Sequence, residues 1–100
     1  MSFGQVIAGR RRIRAMSQRD LATQIKRDGN SISAAYLNDI EHDRRSPSPD
    51  IVAQFAKVLE LDEGYLAYLA GRFPHDRELH GLSEDEFVNG MRAFRQGAGR

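Results

Sequence analysis

Polar and basic side chains concentrate in residues 33–47, SAAYLNDIEHDRRSP. Asn38 and Asp39 follow a serine that can cap a helix, so an amide and a carboxylate share one short helix. Arg44 and Arg45 come shortly afterwards, and guanidinium groups bind carboxylates and phosphates. These residue types suit hydrogen-bonded recognition of a partner that carries negative charge.

Patterns for catalysis or metal binding are missing from the sequence. The chain has no cysteine, which excludes thiolate metal sites, thiol nucleophiles and disulfides. His42, His75 and His80 lack the compact spacing of zinc ligands. No serine has a G-x-S-x-G setting, and no glycine-rich phosphate loop occurs. We therefore expect a protein that is not an enzyme and that uses no metal or cofactor.

Length and composition indicate one small domain, or one domain with a tail. Of the 100 residues, 40% are hydrophobic, which is enough for a single small core. No apolar run is long enough to span a bilayer, and the start MSFGQVIAGRRRIR lacks the apolar block of a signal peptide. We expect a cytoplasmic protein without membrane contact.

Charge is distributed unevenly, although the net charge is +1. Residues 1–48 hold nine basic and five acidic side chains, a net of +4. Residues 49–100 hold six basic and nine acidic side chains, a net of −3. A basic N-terminal half favours a polyanionic partner, with ordinary scatter of charges as the alternative.

Helical periodicity predicts an all-α fold, and no run alternates as a strand does. The first helix is predicted from Phe3, Val6, Ile7 and Ile13. Capping residues and apolar spacing then predict five short helices: about 3–14, one capped by Ser17, about 34–42 after Ser33, one begun by Ser48-Pro49, and about 62–70 before Gly71.

The C-terminal part is predicted to contain a linker and one more helix. Residues 72–82, with Pro74 and two histidines, have the composition of a linker. Residues 83–86 form a capping box, and apolar side chains recur behind it at helical spacing: Phe87, Val88, Met91 and Phe94. Residues 97–100 are expected to fray. The apolar stripe either folds back on its own domain or meets a second copy or another protein.

The order of these elements resembles the Cro/repressor-like helix-turn-helix proteins, often called the XRE family. The matching segments, within about residues 3–70, are MSQRDLATQI, SAAYLNDIEHDRRSPS and IVAQFAKVLELDEGYLAYL. Each matching element is a weak signal alone, and their order and spacing make the resemblance specific. It implies a compact five-helix repressor-like helix-turn-helix domain over residues 1–71. Helix 33–42 would then be the recognition helix, placed in the major groove of double-stranded DNA.

The resemblance also implies a set of DNA-contacting residues: Gln18, Arg19, Ser33, Ala34, Ala35, Tyr36, Asn38, Asp39, His42, Arg44 and Arg45. Gln18 matches a position where a side chain and a helix N-terminus bind one phosphate. Residues 33–35 match the base-facing start of the recognition helix, and alanine methyls there can pack on thymine methyls. Asn38 would pair with adenine or a phosphate, and Asp39 would accept from cytosine N4.

Several matched positions have a second interpretation. The Tyr36 ring belongs either to the core or, through its hydroxyl, to a phosphate contact. Arg44 and Arg45 match basic loop positions that bind backbone phosphates, and a solvated turn is the alternative. His42 matches a polar backbone contact. Arg11 and Glu41 match a structural pair that ties the first helix to the end of the recognition helix.

The sequence departs from the family pattern in two places. Seven residues, KRDGNSI at 26–32, separate Ile25 from Ser33, where the family has a short turn. This insertion either lengthens the second helix and brings a basic loop near a DNA backbone, or forms a neutral surface loop. The start of the recognition helix also lacks arginine, lysine and glutamine, so base readout should be sparse and DNA shape should contribute.

These expectations lead to two functional hypotheses. The first is a sequence-preferring DNA-binding transcriptional regulator, a repressor, that acts as a homodimer through its fifth helix or its C-terminal stripe. The second is a protein-interaction module, such as an antitoxin or adaptor. It would bind a protein partner through the C-terminal helix, with DNA binding weak or secondary.

Overall fold

Six helices and one short hairpin make up the residues that the computed structural model describes, 1–71 and 83–98, with side chains described as far as residue 91. In chain order the elements are α1 (Phe3–Ile13), α2 (Gln18–Thr23), β1 (Lys26–Arg27), β2 (Asn30–Ser31), α3 (Ala34–Glu41), α4 (Pro49–Leu59), α5 (Glu63–Leu69) and α6 (Glu84–Ala98). The predicted all-α fold is confirmed, and the short hairpin is the one addition among the described residues. The predicted linker 72–82, the Phe94 side chain and residues 99–100 lie outside the described part.

Side-chain caps set where the helices begin. Ser17, Ser33 and Ser48 each accept a hydrogen bond from the backbone N–H three residues later, which satisfies a donor that the helix leaves unpaired. These three predicted caps are confirmed, and so is the capping box at Ser83. Gly71 follows α5 with a φ of 78°, a conformation that glycine adopts without strain.

The insertion after Ile25 forms a two-stranded antiparallel hairpin, which neither alternative predicted for this segment included. Lys26 pairs with Ser31 and Arg27 with Asn30. Asp28 and Gly29 both have positive φ, 53° and 83°, which is the geometry of a tight hairpin turn favoured by Asp-Gly. Strands of two residues are too short to show alternation. Because α2 ends at Thr23, the insertion does not lengthen that helix.

Helices α1 through α5 share one apolar core. Its largest fully buried side chains are Phe55, Ile7, Leu21, Ile25, Leu37, Ile40, Ile51, Leu59, Leu66 and Val52. Ile13, predicted to lie on the apolar face of α1, is instead 81% exposed. Six residues of helix place it about 120° around the axis from Ile7, away from the core.

Gly4 lets the start of α1 approach the end of α3 closely. A Cβ at Gly4 would overlap the carbonyl oxygen of Glu41 and lie 2.6 Å from that of Ile40. The Gly4 N–H also donates to Asp43 Oδ1 at 2.9 Å. The position of α3 relative to α1 therefore depends on a residue without a side chain.

The start of α6 packs back on its own domain, which answers one alternative that the sequence left open. Phe87 is buried, with its ring centroid 5.8 Å from that of Tyr65 and 5.4 Å from that of Tyr68. Glu84 accepts from the Asp62 N–H at 2.6 Å and from Arg10 Nη2 at 3.3 Å. The pKa of the Tyr65 phenol is raised, mainly because the ring is buried and secondly because the negative charge of Glu84 disfavours the phenolate. α6 continues through Ala98, and the fraying of residues 97–100 stays a prediction. No helix in the described part of the chain is long and apolar enough to cross a membrane.

Candidate nucleic-acid interface

The candidate site is the outward surface of α2 and α3 with the loop that follows α3. We call it the α2–α3 face, and it comprises residues 18–19, 33–36, 38–39, 42 and 44–45. A buried ion pair lies behind it. Arg11 Nε and Nη2 donate to the two Glu41 carboxylate oxygens at 2.7 and 3.1 Å, and the Glu41 side chain is only 2% exposed. The structure thus places the predicted pair in contact and ties α1 to the end of α3.

Gln18 connects α2 to this ion pair. Its Nε2 donates to Glu41 Oε1 at 2.9 Å and to Asn38 Oδ1 at 3.1 Å. Both amide hydrogens therefore act inside the protein, and Gln18 fixes the orientation of α3 against α2. Its backbone lies in the first turn of α2, where N–H groups face outward.

The outward side of α3 begins with small residues and continues with polar ones. Ser33 and Ala35 are exposed, and Ala34 is half-buried. Asn38 accepts from Gln18 through Oδ1, and its Nδ2 hydrogens have no acceptor among the described residues. His42 Nδ1 lies 2.8 Å from the Asn38 carbonyl oxygen. A carbonyl only accepts, so Nδ1 carries the proton in this contact.

Asp39 forms a charge cluster with the two arginines that follow α3. Its Oδ1 lies 3.1 Å from Arg44 Nη1, and its Oδ2 lies 3.6 Å from Arg45 Nε. Both arginine side chains remain more than half exposed, at 59% and 56%. The carboxylate thus orients two cations toward solvent and offsets part of their positive charge.

Tyr36 lies between two guanidinium groups. Arg27 Cζ is 5.0 Å and Arg45 Cζ is 5.2 Å from the ring centroid, within the range of cation–π attraction. The ring is half-buried and also packs against the core, in agreement with the core alternative for Tyr36. Arg27 was not among the predicted contact residues. The signal that could have placed it is the Asp-Gly pair, which turns the chain back toward α3.

Most of the predicted polar residues therefore fall into two groups whose members contact one another, and Arg19 belongs to neither group. Gln18 bonds both Asn38 and the buried Glu41, whereas Asp39, Arg44, Arg45 and Tyr36 form the basic cluster. Arg19, on α2, forms no ion pair with any carboxylate of the described residues. In the same part of the chain, no group of three histidine, aspartate or glutamate side chains is placed to hold a metal ion.

The family comparison agrees with this geometry. A protein-family model described as helix-turn-helix matches residues 8–66, a span that contains the whole α2–α3 face and its supporting ion pair. Comparisons with curated proteins and with solved structures gave no match.

Proposed function

Because this chain belongs to the XRE-type helix-turn-helix family, we propose that it is a sequence-preferring transcriptional regulator, a repressor, that inserts α3 into the major groove of DNA as a homodimer. The observation that carries the proposal is the network through Gln18, Glu41 and Arg11. It holds α2 and α3 at a fixed angle and uses only inward groups. The outward side of α3 is left available to a partner.

Base recognition would involve few groups. The start of α3 offers Ala34 and Ala35, whose methyls would contact thymine methyls, and these two small residues would let the backbone come close to the groove. The Asn38 amide is a donor one turn later. Because so few side chains reach base edges, sequence-dependent DNA shape is expected to contribute to specificity.

Phosphate contacts would come from the edge of the α2–α3 face. Arg19 is exposed on α2, whereas Arg44 and Arg45 extend from the end of α3 with more than half of each side chain in solvent. Contacts of this kind position a protein on the duplex and make affinity depend strongly on salt. His42 adds a polar group beside them.

Dimerisation would supply the specificity that one small module lacks. Two copies would place their α3 helices in half-sites about 34 Å apart, one helical turn of DNA. The contact between copies is proposed on the joint surface of α5 and α6, which Phe87 holds together within one chain. A dimer bound across a promoter would repress transcription by occupying it.

The test is selection of bound duplexes from a random library at low and near-physiological salt, followed by affinity measurements. A pseudo-palindromic motif that persists at the higher salt supports the proposal. Ala35→Glu places a carboxylate on the exposed start of α3 and should abolish binding. Lys57→Glu is the control, because it makes a larger charge change at an exposed site on α4. Equal loss of binding in both variants, or no enriched motif, would contradict the proposal.

One observation favours a protein-interaction module as the second candidate. Asp39 pairs with both arginines that follow α3, which reduces the positive charge offered to DNA. An antitoxin or adaptor would then use the α6 surface for a protein partner, with DNA binding secondary. Co-purification of one stoichiometric partner, together with the absence of an enriched DNA motif, would favour this function over the first.

A further inference from the structure

The hairpin that interrupts the helix-turn-helix is hydrogen-bonded to α4 at its base. The Lys26 N–H donates to Gln54 Oε1 at 2.6 Å, and Gln54 Nε2 donates back to the Lys26 carbonyl oxygen at 2.8 Å. Asp50 accepts from the same Gln54 amide at 3.0 Å. The Ile32 N–H also donates to the Ile25 carbonyl oxygen at 2.9 Å. The inserted residues therefore form an element fixed to α4.

The two cations of the hairpin have different surroundings. Lys26 Nζ donates to the Thr23 carbonyl oxygen at 3.0 Å and to Ser31 Oγ at 2.7 Å, so its charge stabilises the carboxyl end of α2. Arg27 forms no ion pair with any carboxylate among residues 1–71 and 83–91, and it is exposed. Its guanidinium lies on the Tyr36 ring, which belongs to the first turn of α3.

A cleft separates the hairpin from the start of α3. It has a volume of about 310 Å³, and its walls include Arg27, Asn30, Ser33 and Tyr36, with Asp28 at the turn. Ser33 and Tyr36 are also part of the α2–α3 face. The cleft is therefore continuous with the surface that would meet DNA, and Arg27 is placed beside α3 before any partner binds.

We propose that the hairpin is a second DNA contact, in which the Arg27 guanidinium binds a backbone phosphate that borders the half-site. The inference rests on the proposed DNA-binding function and adds to it a contact outside the two helices of the motif. A guanidinium that is already held over an aromatic ring loses little side-chain freedom when it binds phosphate. The Asp28 carboxylate, next to Arg27 at the turn, works against this contact.

The experiment compares four variants with the wild-type chain on one selected duplex across a range of salt. Arg27→Met keeps the bulk on Tyr36 and removes the charge. It should weaken binding about tenfold, the loss of one charge-assisted hydrogen bond, and lower the salt slope by about 0.9, the loss of one phosphate contact. Arg27→Lys keeps the charge but loses the planar guanidinium, so its affinity should fall between those of wild type and Arg27→Met while its salt slope stays close to that of wild type. Asp28→Asn keeps the positive φ of the turn and should tighten binding about threefold. Lys57→Met removes an exposed cation of α4 and should change affinity less than Arg27→Met.

The phosphate itself can be located by ethylation interference. Wild type should show a phosphate at the edge of the half-site where ethylation blocks binding, and Arg27→Met should lose sensitivity there alone. If wild type binds the duplex but Arg27→Met and Lys57→Met have equal affinities and interference patterns, the hairpin proposal is refuted and the proposed function stands. If wild type selects no duplex at all, the proposed function is refuted, and the hairpin contact that rests on it is refuted with it.

Discussion

Replacing Glu41 with glutamine tests the idea that one buried ion pair holds the α2–α3 face in place. The Arg11 and Glu41 side chains are 11% and 2% exposed, so Glu41→Gln would leave a nearly buried guanidinium without a counter-charge. Breaking one partner of a buried pair costs about 3 to 5 kcal/mol. We expect the lower end of this range, because Arg11 keeps its bond to the Met16 carbonyl oxygen at 3.0 Å.

A loss of about 3 kcal/mol corresponds to a fall in Tm of roughly 12–24 °C for a domain of this size. Thermal unfolding followed by circular dichroism measures it. Glu63→Gln is the control, because Glu63 is an exposed carboxylate in the first turn of α5, where its loss should cost less than about 1 kcal/mol.

The double variant Arg11→Met/Glu41→Leu tests whether the loss of stability comes from leaving one charge unpaired or from losing the ion pair itself. Replacing both charges by apolar side chains of similar volume is often nearly neutral, so the double variant should melt well above Arg11→Met or Glu41→Leu alone. Melting of Glu41→Gln within about 3 °C of wild type would refute the structural role of the ion pair, since the stability change would then be less than about 1 kcal/mol. A double variant no more stable than the single ones would refute it as well.

Three further predictions follow from single contacts. Asp39→Asn removes the carboxylate that holds two arginines, so duplex affinity measured by fluorescence anisotropy should rise about fivefold at low salt; unchanged or weaker binding would indicate that Asp39 contacts a base. Gly4→Ala places a methyl group against the Glu41 carbonyl oxygen and should lower stability by about 3 kcal/mol in urea unfolding; an unchanged midpoint would show that α1 shifts freely. Hydrogen bonds from Ser17 hold the pKa of Asp20 below its ordinary 3.8, with the larger effect from the backbone N–H and the smaller from the hydroxyl. That stabilisation is complete above pH 3.8 and is lost as the pH falls through the lower folded value, so the Tm difference between wild type and Asp20→Asn should shrink below pH 3.8; a difference that stays constant down to pH 2 would contradict this assignment.

The helices and their starts could be predicted because their signals are local. A serine cap and the N–H that it satisfies are three residues apart, and helical periodicity is visible within one or two turns. For the same reason Ser48 followed by Pro49 located α4, and the order of caps and apolar positions was specific enough to indicate the helix-turn-helix family. The hairpin escaped prediction, since its strands are shorter than any periodic pattern.

The roles of individual polar side chains were harder to predict, because hydrogen-bond partners depend on packing. Gln18 was expected to contact phosphate, yet its side-chain amide donates to residues 20 and 23 positions away. Asp39 was expected to be a free acceptor for a base, yet both of its oxygens lie near arginines of the following loop. Sequence matching places such residues on one surface of the domain without showing which of their atoms already have partners within the protein.

Local patterns in the sequence were sufficient to predict the helix order, the caps, the pairing of α2 with α3 and the small residues that begin α3, since each depends on residues within a few positions of one another. The tertiary structure was needed to show that Glu41 is shared by Arg11 and Gln18, that Phe87 packs on Tyr65, and that the Arg27 guanidinium lies over Tyr36. These contacts join separate elements of the chain. Their geometry follows from how the core packs and how closely Gly4 lets α1 approach α3, and no local pattern encodes that distance.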